Sequence, residues 1–140
     1  MNGNIALKIA GCLSAAVAAL HVVIVFVGPR AYRYFGAGED LARQAEAGSF
    51  LPAVITLGIA AVFTVFALYA FSGAGSIRRL PLLRTGLVVI GLIYTVRGLA
   101  LISELLQGAI PRHLVFSAVS LTIGIAYLWG TWRAWPRLGR

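Results

Sequence analysis

Charge is what this chain has least of. Only 11% of its 140 residues are Asp, Glu, Lys or Arg, whereas a soluble domain carries about a quarter. So few charges cannot cover a folded surface, and a water-soluble globule is excluded. Cysteine is almost absent. One residue, Cys12, excludes an intrachain disulfide and a zinc cluster built on cysteine ligands. Acid is scarce as well: Glu39, Asp40, Glu46 and Glu104 are all there is, too few and too scattered for a carboxylate di-metal site. No serine or cysteine sits in a nucleophile motif, so hydrolase chemistry has no support. Internal repeats and low-complexity segments are missing too.

What the chain does have is apolar sequence. It is 60% hydrophobic, with a mean hydropathy of +0.91. Four runs come near the roughly 20 residues that a bilayer requires: about 5–27, 50–71, 82–107 and 113–132. Backbone groups in hydrocarbon must be satisfied within their own segment, so each run is expected to be a helix. The alternation of a membrane barrel is not seen. The fold class is therefore an all-α integral membrane protein, a single four-span domain over 1–140. Apolar sequence continues from Cys12 to Val27, so the first run is expected to be a retained span and not a cleaved signal.

The breaks carry turn chemistry. Gly28-Pro29 stops the first helix. Ser49 is an N-cap for the second, with Pro52 in its first turn. Residues 72–76 end the second helix, Pro81 sits where the third begins, and Gly108 and Pro111 turn into the fourth. In the one long loop, residues 39–47 read as a short helix. Glu39 and Asp40 suit its first turn, Glu39 precedes Arg43 by four, and Gly48 is its stop. The loop is expected to be a solvated connector.

The net charge of +8 does not point to nucleic acid. The basic residues lie in the breaks between apolar runs and not on one soluble face, which fits anionic lipid headgroups instead. Lys8, Arg78, Arg79, Arg84, Arg133, Arg137 and Arg140 fall on one side of a four-span chain. Arg30, Arg33, Arg43 and Arg112 fall on the other. The positive-inside rule then places both termini in the cytoplasm, of a bacterial inner membrane given the small size and the absence of a sorting signal. Trp129, Trp132 and Trp135 become an inner aromatic belt.

The third run, Thr85 to Gln107, carries Arg97 near its middle and Glu104 near its end. Ionised groups at that depth are expected to be paired, hydrated in a cavity, or functional. Seven residues separate the two, so they share a helix face about 10 Å apart along the axis. Tyr94 lies on the same face. His21 falls in the outer third of the first helix and Thr56 in the outer half of the second. On the fourth helix, Ser117, Ser120, Gly124 and Tyr127 follow His113 at helical spacing. The expected site is a polar pocket in the outer half, made of Arg97, Glu104, His21, His113, Tyr94, Thr56, Ser117 and Ser120. Gly86, Gly91 and Gly98 are expected at close helix contacts. Cys12 and the alanines at 15, 16, 18 and 19 are expected to be packing residues.

Three functions follow from these residues. One is binding or transport of a lipid-like or anionic amphipathic ligand, with Arg97 as the anchor. Another is a structural or accessory membrane subunit, self-associated or in a larger complex, with Arg97–Glu104 as a scaffold pair. The third is a haem-binding or lipid-modifying enzyme. His21 and His113 lie at different depths, which argues against axial haem ligation, so no cofactor is expected beyond a bound lipid. The chain is similar in size and span count to small-multidrug-resistance exporters. Those use a glutamate in the first helix, and this first helix has no acid.

Overall fold

The computed structural model describes residues 4–139; Arg140, counted above among the basic residues, lies outside them. Six helices run in order: α1 (Ile5–Val27), α2 (Pro29–Tyr34), α3 (Glu39–Glu46), α4 (Leu51–Gly73), α5 (Leu83–Leu106) and α6 (Pro111–Leu138). No strand occurs among the described residues. This is the element content of a four-helix transmembrane bundle with short extra helices in the first long loop.

Four of the helices, α1, α4, α5 and α6, are long and apolar enough to cross a membrane. Only 22–33% of the most apolar stretch of each is buried within the chain. Large side chains such as Phe26, Leu68, Val96 and Trp132 point outward. An exposed apolar surface of that extent is not tolerated by a soluble monomer, so lipid is the solvent for these faces and the chain is an integral membrane protein.

The helix ends follow local chemistry. Ser49 Oγ accepts from the Leu51 amide at 3.2 Å just ahead of α4, whose first backbone bond is accepted by Phe50 O. Gly48 takes a positive φ of 78°. Its amide reaches Ala45 O while that of Ser49 reaches Gln44 O, the paired closure that ends a helix with glycine in the left-handed region. Two features depart from the sequence expectation. Pro29 does follow the end of α1, but it also opens α2 as its first-turn residue, a position where its missing amide does no harm. Helix α6 continues past Trp132 to Leu138, with Pro136 inside its last turn.

The contacts divide the chain into two compact units, one of residues 14–65 and the other of 4–13 with 66–139. In the first, Ile24, Ala31, Tyr32 and Ala42 form a small core with Leu20, Phe35 and Ala45 against it. Arg33 ties α2 to α3. Its guanidinium donates to both oxygens of Glu39, from Nε and Nη2, each at 2.9 Å. It also donates to both oxygens of Glu46, at 2.6 Å from Nη1 and 3.0 Å from Nη2. Arg43 adds a longer contact to Glu39 at 3.4 Å. The loop thus holds the short helix expected over 39–47, as Glu39–Glu46, with a second helix before it, and the two share a small core. Cys12 is exposed, and of Ala15, Ala16, Ala18 and Ala19 only Ala18 is buried. The packing role expected of those residues therefore rests on Ala18 alone.

Candidate functional site

The second unit is organised by the α5–α6 hairpin, whose helices are joined by residues 107–110. On α6 the buried positions include Ser117, Gly124, Thr131 and Leu138, in steps of seven, with Tyr127 and Ala134 interleaved. That spacing averages 3.5 residues, the period of a left-handed supercoil. The seam consists mostly of small residues, so the backbones approach closely. A Cβ added at Gly98 would lie 2.5 Å from the backbone of Leu121, and Gly124 is as tightly enclosed by Thr95. Gly86 and Gly91 face Tyr69 and Leu128 in the same way.

Large groups fill the centre of the hairpin. Tyr94 and Tyr127 stack with centroids 5.7 Å apart and planes 17° from parallel. Phe66 meets Tyr94 edge-on at 5.9 Å. Tyr127 Oη donates to the Phe66 carbonyl at 2.7 Å, so the buried hydroxyl is satisfied.

Arg97 lies beside this stack on an exposed part of α5. Its Nη1 donates to Ser117 Oγ at 2.8 Å, across to α6. Ser117 itself is fully buried. Among the described residues no ion pair joins Arg97 to Glu104. The Glu104 Oε2 atom is buried without a hydrogen-bond partner. A guanidinium has five donors, and the bond to Ser117 is the one side-chain hydrogen bond Arg97 makes among the described residues. The group therefore keeps several donors for an acceptor from outside the chain.

No protein-family model, curated protein or solved structure significantly matches the chain. Function must therefore be read from the residues themselves.

The other residues expected at the site fall as follows. Tyr94 is buried in the aromatic stack. Ser120 Oγ donates back to Phe116 O at 3.0 Å, a local bond within its own helix. His113 is half-buried in the first turn of α6, with its amide bonded to Ile110 O. His21 and Thr56 belong to the unit of residues 14–65. His21 Nδ1 is 2.8 Å from Val17 O, and its ring is 5.1 Å from that of Phe63. Thr56 Oγ1 donates to Pro52 O at 2.8 Å. Both thus bond within their own helices. The structure brings together Arg97 and Ser117, with the Tyr94 stack on the same hairpin. Among the described residues no group of three or more His, Cys, Asp or Glu is arranged to hold a metal ion.

A cluster that sequence reasoning used only to set orientation lies at the other end of α5. Two cavities open there, of about 650 and 240 Å³. Arg79 lines both, Arg84 the larger and Arg137 the smaller. The run Arg78-Arg79 with Arg84, Arg133 and Arg137 was the available signal.

Proposed function

We propose that this small polytopic membrane protein binds an anionic amphipathic ligand, such as a lipid headgroup or a fatty carboxylate, at Arg97 on the α5–α6 hairpin. The observation that carries the reading is the exposed Arg97 guanidinium, held by Ser117 and unmatched by any carboxylate. A cation on a helix of membrane length needs a counter-charge or water, and an anion from lipid supplies one. The guanidinium fork suits carboxylate and phosphate alike. By the positive-inside rule we place the termini in the cytoplasm of a bacterial inner membrane.

The test is native mass spectrometry of the full chain purified in mild detergent. Retained anionic lipid is expected with the wild type and with Arg97→Lys, and its loss with Arg97→Gln. Equal retention by all three sinks the reading.

A second reading is an accessory or self-associating subunit in which Arg97 fixes the register of α5 against α6. The Arg97–Ser117 bond and the close glycine contacts favour it. It predicts that Arg97→Gln lowers the melting temperature and leaves lipid retention unchanged.

A further inference from the structure

The end of the hairpin that carries the 74–82 connection gathers positive charge. Arg78, Arg79, Arg84, Arg133 and Arg137 come from two segments, 74–84 and 132–139, that contain no acid. The chain's four acidic side chains are at positions 39, 40, 46 and 104. Two of these arginines are fixed by the last turn of α6. Arg84 Nη2 donates to Trp135 O at 2.6 Å, with its guanidinium carbon 4.7 Å from the centre of the Trp135 ring. Arg79 Nη2 donates to Leu138 O. These carbonyls are among the orphan acceptors of a helix C-terminus, which carries roughly half a negative charge. Arg84 Nε is buried with no hydrogen-bond partner, a polar atom that an added acceptor would satisfy.

The walls of the larger cavity are not only basic. Leu80, Leu82 and Leu83 alternate with Pro81 between the arginines. Leu82 adopts a left-handed backbone, with φ 50°, and its side chain is 79% exposed. A bulky aliphatic residue is strained in that region. The strained turn sets an apolar side chain beside Arg79 and Arg84 at the start of a membrane-length helix. Arginine forks next to exposed leucines suit a phosphate that is attached to acyl chains better than a phosphate in water.

We infer that the cavities between the 78–84 segment and the end of α6 bind the phosphate headgroup of an anionic membrane lipid, with Arg79, Arg84 and Arg137 as its donors and Leu82 beside its acyl chains. Arg137 lines the smaller cavity, which shares Arg79, Leu83 and Leu138 with the larger one. This site is separate from Arg97, and each can fail alone.

The experiment uses the full chain, delipidated in neutral detergent and offered phosphatidylglycerol, phosphatidylcholine or inorganic phosphate, with occupancy read by native mass spectrometry. Phosphatidylglycerol is expected to exceed phosphatidylcholine at least tenfold. Arg79→Gln with Arg137→Gln should weaken phosphatidylglycerol binding about thirtyfold, the factor expected for two arginine contacts to an anionic headgroup. Arg97→Gln should remove only the lipid held at Arg97 and leave in place the phosphatidylglycerol that the Arg79 and Arg137 variants release, so the two sites are read as separate steps of occupancy. If the double variant melts early, Arg137→Gln alone decides, because that side chain is exposed; a loss of about fivefold is expected. Equal occupancy by the two lipids, or unchanged binding in the Arg137 variant, overturns the proposal. Full displacement by excess inorganic phosphate, with no preference between lipids, overturns the lipid source.

Discussion

Gly98 and Leu121 meet backbone to backbone: a Cβ built on Gly98 would stand 2.5 Å from the Leu121 nitrogen and Cα. Neither helix can yield there without opening the seam. Gly98→Val should therefore lower stability by about 1–3 kcal/mol, the range of overpacking a close interface. The check is thermal unfolding in detergent. Gly58→Ala is the control, because nothing lies within 4 Å of a Cβ at that position. It should be neutral, or stabilising by about 0.5–1 kcal/mol through helix propensity.

The Arg97–Ser117 bond predicts a measurable coupling. Ser117→Ala removes the acceptor for Arg97 Nη1. Interhelical hydrogen bonds in membranes average about 0.6 kcal/mol in double-mutant cycles, with an upper end near 1.7. A cycle of Ser117→Ala and Arg97→Met should give a coupling in that range by unfolding equilibria. A value of zero would show that the two side chains do not support one another.

Tyr127→Phe keeps the stack on Tyr94 and removes the bond to Phe66 O. The Phe66 carbonyl stays within helix α4, so the loss is that of one net hydrogen bond, about 0.5–1.5 kcal/mol. The same melting assay reads it. Tyr127→Leu should cost more, since the ring contact goes as well.

Arg33 gives the α2–α3 pair a pH signature. Hydrogen bonds from Arg33 hold the Glu39 and Glu46 carboxyls below the usual carboxylate range, with Arg43 adding to the effect at Glu39. Acids whose folded pKa is depressed contribute stability that is present above their unfolded value, about 4.3. That contribution is lost as pH falls through the lower folded value. Carboxyl carbon shifts followed by NMR should show both glutamates titrating below 4.3. In Arg33→Gln both should return toward that value. The groups are exposed, so the effect on global stability is small.

The spans were readable because each is a long apolar run, and composition alone decides that a chain needs lipid. The stripe that begins at His113 was readable too. Its steps of three and four run through Ser117, Ser120, Gly124 and Tyr127, and the buried positions of α6 continue it to Leu138. Helix α2 was not readable, because Gly28-Pro29 is both a fitting end and a fitting start. The choice is made by the burial of Tyr32 and the grip of Arg33, contacts that arise only on folding. The end of α6 was missed because hydropathy fades at Arg133 while the helix persists, capped by Arg79 and Arg84. The partner of Arg97 was missed for a similar reason. A helix wheel relates Arg97 to Glu104 on its own helix, about 10 Å away along the axis. The register between α5 and α6 that brings Ser117 alongside is not written in either helix separately.

The bond from Arg97 to Ser117 bears on how the chain enters the bilayer. A lone arginine near the middle of a span adds about 2.5–3.5 kcal/mol against insertion through the translocon. Helix α5 brings that burden, and α6 follows after only the residues 107–110. The acceptor that offsets a part of it therefore emerges from the ribosome just behind it. The two segments are expected to partition into lipid as a pair, with α5 waiting at the lateral gate until Ser117 arrives. The order of helices along the chain is then part of how the charge becomes tolerable.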